Sequence, residues 1–392
     1  MITSVERSHA HRRLRRQQVR RRRLALAVAA AVAFVTGLAF GAGGDDPASP
    51  PQPREDGAAR PEEPPVPPVD QLSLEQQVGR MVILRFDGTE PPGYVRRALR
   101  EGRTAGAILF RDNVRDPEQL RRLTRAIRRA SPEIEPLICV DQEGGAIRIL
   151  PWAEPERPAP EQQAWGLVRE DAAAAGRDLR AAGISVTLAP VADIPTVEGA
   201  ALADRAFTTD PDAAAAAVAE SVGGWHEAGV ATTVKHFPGL GGATVNTDDG
   251  PAVIERTRDQ LDDDLQPFVS AIGMETEFVM VGHATYPALD PDNIASQSAV
   301  VVDGLLRDEL GFEGVAMTDS LEAAAVQAVA DVEEAALASA RAGIDVILTT
   351  GQGSYTRVYR ALLREAGRNE AFRERVRASA ERVLAAQSSD DG

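Results

Sequence analysis

Eight short apolar runs recur along the chain beyond residue 80: "MVILRF" (81–86), "AGAILF" (105–110), "PLICVD" (136–141), "ISVTLAPV" (184–191), "ATTVKHF" (231–237), "EFVMVGHA" (277–284), "GVAMTD" (314–319) and "GIDVILTT" (343–350). Between them lie longer segments with apolar positions at helical spacing, such as "PEQLRRLTRAIRRA", "EDAAAAGRDLRAAG", "PDAAAAAVAESVGGWHEAG" and "VVVDGLLRDELG". Near-continuous apolar strands that alternate with helices predict a parallel sheet covered on both faces. Eight such units predict an α/β chain folded as a (β/α)8 TIM-type barrel over residues 71–392. An open doubly wound sheet is the alternative. No glycine-rich dinucleotide fingerprint follows the first strand, which weighs against it. "EAFRERVRASAERVLAAQ" near the end predicts a last helix packing on the barrel, with "SSDDG" as a tail.

The segment before the barrel has a different pattern. Residues 1–23 hold nine arginines and one glutamate, a basic tail expected on the cytoplasmic side. Residues 24–43 are uncharged and apolar, long enough to cross a bilayer as a helix. A cleaved signal peptide is the competing reading. Residues 44–70 are rich in proline and charge and read as an extended linker. These features predict a single-pass cell-membrane protein whose barrel domain is extracytoplasmic. The whole chain carries −16, so the part beyond the tail is more acidic still. Such a surface excludes binding to nucleic-acid phosphates. The one cysteine, Cys139, lies inside an apolar run and reads as a small buried side chain.

In a barrel of this kind the chemistry sits at the carboxyl ends of the strands. The residues there are Asp87, Arg111-Asp112-Asn113, Asp141-Gln142-Glu143, Asp193, Lys235-His236, His283, Asp319 and Thr349-Thr350. Asp319, partly dried at the end of a buried strand, suits a nucleophile toward an electrophilic sugar carbon. Its bland role, capping the next helix, is equally open to Ser320. Asp141 runs into a Gly-Gly pair that lets backbone approach a ligand, and its carboxylate can accept bonds from adjacent hydroxyls. Lys235 is the only lysine in the chain and reads as a compact donor where a guanidinium would not fit. Arg205 can hold a ligand hydroxyl or form a plain salt bridge. His236 and His283 with a carboxylate fit no local metal-ligand spacing. His226, in a helical segment, reads as a surface residue. No cofactor is expected.

These residues carry a resemblance. "AGAILFRDNV", "VDQEGG", "LAPVADI", "DRAF", "VKHFPGLG", "GHATYPALD", "LLRDELGFEGVAMTD" and "AGIDVIL" follow the order and spacing of single-domain bacterial β-N-acetylhexosaminidases of glycoside hydrolase family 3. The resemblance implies a barrel that removes terminal N-acetylglucosamine with retention through a covalent glycosyl-enzyme. It places Asp319 at the nucleophile position and Asp141, Arg205, Lys235 and His236 at sugar-binding positions. His283 joins them as a substrate-binding candidate. The expected partner is a small sugar or muropeptide fragment, since an acidic surface disfavours intact anionic glycan.

The resemblance breaks in two places. The family reads Lys-His-Phe-Pro-Gly-His-Gly and then Asp-Ser-His, the histidine being the general acid/base. Here the segment is "KHFPGLGGATVNTDD", with Asn246 at the aspartate position and Asp248 at the histidine position. Following Asp141, Ala146 and Ile149 replace two arginines and Arg148 sits one position early. Three readings of the loop stand. Asp248 or Asp249, on a mobile loop and oriented by Asn246, is the acid. Alternatively, the enzyme works only on good leaving groups or transfers the sugar to another acceptor, and the arginine missing near Asp141 leaves a β-glucosidase-like preference within the same family open. In the third, the barrel is a sugar-binding pseudoenzyme.

Overall fold

The computed structural model describes residues 68–388, which belong to one compact unit, 64–392. All eight apolar runs become strands: β1 Val82–Arg85, β2 Gly106–Ile108, β3 Leu137–Val140, β4 Val186–Thr187, β5 Ala231–Phe237, β6 Phe278–Val281, β7 Val315–Thr318 and β8 Ile347–Thr349. Their hydrogen-bonded order around the sheet follows the chain, with β8 also paired to β1, and all pairs are parallel. Between β7 and β8 the ring closes through a Met317–Val346 bridge, with Thr318 N–H donating to Val346 C=O at 2.9 Å and Asp345 N–H to Ala316 C=O at 2.8 Å.

Strand side chains alternate between two apolar environments, as a period of two requires. Ile83, Ile108, Cys139, Val186, Met280, Met317 and Leu348 fill the barrel interior. Their neighbours Leu84, Ala107, Ile138 and Val140 face outward onto the helices, as do Val279, Val281 and Ala316. Cys139 is fully buried there, and burial pushes its thiol far up. The outer helices start where the sequence supplies caps. Asp116 accepts from Gln119 N–H ahead of Pro117–Arg129, and Asp210 accepts from Ala213 N–H ahead of Pro211–Glu227, each at 2.8 Å and each with proline in the first turn.

The last helix, Glu370–Ser388, packs on the amino-terminal end of the barrel. There the buried Asp345 bonds Arg307, Arg382 (3.0 Å), Ser379 (2.9 Å) and Ala316 N–H (2.9 Å). Asp345→Ala leaves Arg307 buried without its carboxylate. The expected loss is about 3–5 kcal/mol of stability, read as a shifted urea midpoint at unchanged slope.

Two expectations are corrected. The predicted fold placed a membrane-spanning helix before the barrel. Among the described residues no helix is long and apolar enough to cross a membrane, and the fold is the barrel itself. The apolar run 24–43, the basic tail and nearly all of the linker lie outside the described residues. His226, expected at the surface, is half-buried. Its Nε2 lies 3.1 Å from Glu277 Oε2, whose carboxylate raises the imidazole above its ordinary value.

Candidate active site

The polar groups at the carboxyl ends of β3, β4, β5 and β7 converge. Their centre is β5, whose register against β6 slips between Val234 and Phe237. Such a bulge re-aims side chains. It allows consecutive residues, Lys235 and His236, both to serve one site although a regular strand sends neighbours to opposite faces.

Lys235 is 3% exposed, and its Nζ lies 2.6 Å from both Asp141 Oδ1 and Glu143 Oε1. Arg205 grips Glu143 with two parallel bonds of 2.8 Å. Burial alone would raise Glu143, but Lys235 and Arg205 pull it down to about 2. Burial would lower Lys235, yet Asp141 and Glu143 raise it above its usual value, so it stays an ammonium. Glu143 is thus enclosed while the Asp141 carboxylate keeps 21% exposure, open toward a ligand.

His236 is oriented by Asp193, at the end of "LAPVADI". Nδ1 lies 2.6 Å from Asp193 Oδ2, and a carboxylate only accepts, so Nδ1 carries a proton. Asp193 also accepts from the backbone N–H of His236 (3.3 Å) and of Leu240 (2.5 Å). This leaves His236 Nε2 facing Asp319 Oδ2 at 3.8 Å.

Asp319 sits one residue past β7. Its Oδ1 accepts the N–H of Ser320 at 2.7 Å. Burial would raise its carboxyl, but His236, Lys235 and the Ser320 N–H outweigh that and hold it below the usual range. The Ser320 turn is itself clamped. His283 Nε2 donates to the Ser320 carbonyl (3.0 Å), and its Nδ1 pairs with Ser296 Oγ (2.8 Å). Burial keeps this imidazole below its ordinary value. Both of its nitrogens therefore have protein partners, and the geometry gives His283 a positioning role rather than a hand on the substrate. On the other side Glu322 Oε2 accepts from Ser320 Oγ (3.1 Å), Thr350 N–H (2.8 Å) and Thr350 Oγ1 (3.0 Å); burial would raise its carboxyl, but hydrogen bonds from Ser354, Thr350 and the Gly351 N–H lower it.

The loop following β5, expected to be mobile, is tied to its neighbours at several points in this structure. A Cβ on Gly241 would fall 1.8 Å from the Ile194 carbonyl, so only glycine permits that crossing. Thr196 and Ala201 donate to the Gly241 (3.1 Å) and Ala243 (2.8 Å) carbonyls. At the tip, Ala325 and Ala324 N–H donate to the carbonyls of Thr247 (3.0 Å) and Asp248 (3.2 Å), tying the loop to the segment that follows Asp319. Asn246 steers Asp248 as expected, its Oδ1 accepting from Asp248 N–H (3.1 Å) and its Nδ2 reaching Asp248 Oδ2 (3.4 Å). Asp248 stands exposed at the rim. Its carboxyl is nonetheless raised, by desolvation from the surrounding protein first and by the charge of Asp319 second.

Asp319, Asp141, Arg205, Lys235, His236, His283 and Asp248 thus all lie at this end of the barrel, and Asp249, the other candidate acid, is exposed beside Asp248. Glu143, Asp193 and Glu322 were not assigned roles. Glu143 and Asp193 share the strand-end position of the others, and the lone lysine's need for a counter-charge points to Glu143. Arg148 donates one N–H to the Ala153 carbonyl (3.5 Å) and Ile149 is buried. Among the described residues, no group of three or more His, Cys, Asp and Glu side chains is arranged to hold a metal ion.

Comparison with known proteins agrees with this geometry. Residues 73–386 match the glycosyl hydrolase family 3 N-terminal domain. A beta-hexosaminidase from Stenotrophomonas maltophilia (strain R551-3) is 35% identical over 279 residues, 68% of this chain and 82% of that protein. The structure of a glycoside hydrolase family 3 beta-N-acetylglucosaminidase from Paenibacillus sp. str. FPU-7 superposes with a TM-score of 0.77 at 33% identity, over 82% of this chain and 64% of that one. A beta-N-acetylhexosaminidase from Beutenbergia cavernae DSM 12333 superposes with a TM-score of 0.74 at 31% identity, over 81% and 99%. Barrel, strand-end carboxylates and a match spanning nearly the whole described unit lead to one conclusion: the chain belongs to glycosyl hydrolase family 3 and is a glycosidase.

Proposed function

We propose that the chain removes terminal β-linked N-acetylglucosamine with retention, using Asp319 as nucleophile and Asp248 as acid/base. The observation that carries this reading is that the loop after β5 is tied through Thr247 and Asp248 to the segment following Asp319, bringing together two carboxyls displaced in opposite directions, Asp319 held low and Asp248 raised. Carboxyls driven apart in this way divide into an ionised nucleophile and a protonated acid.

Asp141 accepts bonds from the hydroxyls of the terminal sugar and Lys235 donates to them. With Oδ1 of Asp319 bound to Ser320 N–H, Oδ2 is the oxygen that attacks the anomeric carbon. The bond to the leaving oxygen breaks as Asp248 gives that oxygen its proton. A water then enters, yields a proton to the Asp248 carboxylate and displaces Asp319 from the anomeric carbon. Every group needed is a side chain of this chain. The N-acetyl preference draws on the similarity to the relatives above.

The test is hydrolysis by the purified full chain of dinitrophenyl β-N-acetylglucosaminide against the matching glucoside. The proposal expects kcat/KM at least about tenfold higher for the first, as a site holding the amide group by hydrogen bonds requires. A faster glucoside reaction would reassign the sugar. Folded protein inert on both would mean the site binds without cutting.

A further inference from the structure

A cavity of about 590 Å³ opens between the carboxyl ends of β1 and β8, within the range of roughly 300–1,000 Å³ usual for small-molecule sites. Arg85, Asp87, Tyr94, Thr350 and Gln352 line it. Of these, only Thr350 touches the nucleophile's turn, as a donor to Glu322. We infer that this cavity receives the group on the far side of the scissile bond, and that this group is a neutral sugar ring resting on Tyr94. The inference builds on the proposed glycosidase reading.

Position is the first argument. The groups proposed to hold the terminal sugar, Asp141 and Lys235, belong to the β3 and β5 ends. The nucleophile belongs to β7, and the strands after it are β8 and β1. In-line displacement puts the leaving group on the ring face away from Asp319, beside Asp248, whose loop is tied to Ala324 and Ala325 in the segment running from β7 to β8, and β8 and β1 are the next strands of the ring. Continuity is the second argument. Thr350, in the cavity wall, donates its N–H and its hydroxyl to Glu322 Oε2, which also accepts from Ser320 Oγ, so the wall and the nucleophile's turn are joined through one carboxylate.

Chemistry is the third argument. Tyr94 is 53% exposed, a large aromatic left uncovered at the rim. The Arg85 guanidinium lies over Phe110, 4.7 Å from the ring centre. It is also 3.5 Å from both Asp87 and Asp112. One cation faces two carboxylates, so a leaving group with its own carboxylate or phosphate meets repulsion. A neutral pyranose offers an apolar face to Tyr94 and hydroxyls to Gln352 and Asp87.

The test compares the full chain with Tyr94→Ala on three substrates. These are β-N-acetylglucosaminyl fluoride, whose leaving group occupies no cavity, N,N′-diacetylchitobiose, and the same disaccharide bearing a 3-O-lactyl carboxylate on its leaving sugar. The expected result is a loss of about tenfold in kcat/KM on chitobiose, the scale of one aromatic contact, with a change of less than about twofold on the fluoride. The fluoride rate also reports that the variant is folded. Equal losses on both substrates, or no loss on chitobiose, would overturn the assignment. A wild-type preference for the carboxylated disaccharide would overturn the neutral-sugar part. Wild-type protein inert on all three would instead remove the glycosidase reading beneath it.

Discussion

Asp319→Asn is expected to lower kcat on dinitrophenyl β-N-acetylglucosaminide on the order of 10⁴-fold, the scale seen when a nucleophile acting within a catalytic unit is removed. Asparagine keeps the shape and can still accept the Ser320 N–H bond, so the turn clamped by His283 and Glu322 is retained. Sugar binding through Asp141 and Lys235 is untouched, so KM should change little. The measurement is steady-state kinetics of both proteins together with their melting temperatures. A variant that melts like wild type and retains a tenth of its kcat would exclude Asp319 as nucleophile. The pH dependence follows from the same carboxyl. Because Asp319 is held below the ordinary range, the acidic limb of the kcat/KM profile should fall away only at pH below the usual aspartate value.

Asp248→Asn should act through the leaving group. General acid help contributes roughly 10²–10⁴-fold. That loss should appear on chitobiose, whose departing alkoxide needs the proton, and nearly vanish in the glycosylation step on the dinitrophenyl substrate. Asp248 acts as an acid in its protonated form, and its carboxyl is raised. Wild-type kcat/KM should therefore decline as pH rises through that raised value, and Asp248→Asn should lose this alkaline limb. Equal rates of variant and wild type on chitobiose would remove Asp248 from the role.

The barrel was legible because parallel strands are buried on both faces. Each of the eight runs reads as apolar without alternation, and each became a strand. The runs overstate strand length, since residues 184–191 yield only Val186 and Thr187 as strand. Strand-end charges were legible for the same reason. What each does was less so, because roles depend on contacts across the closed ring. Glu143 acquires its place only when β5 brings Lys235 beside it and the loop after β4 brings Arg205. Asp193 orients His236 from a neighbouring strand. The loop that reads as mobile, from its glycines and small residues, is held at Thr247 and Asp248 by Ala324 and Ala325, more than seventy residues away. His283 looks like a ligand-facing imidazole until both nitrogens are found with protein partners.

The central claim is that a carboxylate does the acid/base work usual for a histidine in this family, through a glycosyl-enzyme on Asp319. The most direct measurement adds azide to Asp248→Asn turning over dinitrophenyl β-N-acetylglucosaminide. Azide is a small anion that attacks a glycosyl-enzyme without base help and is no longer repelled once Asp248 is uncharged. The account predicts a rate that rises with azide and a β-configured N-acetylglucosaminyl azide as product, with no such rise in wild type. No acceleration, or an azide product of inverted configuration, would contradict it.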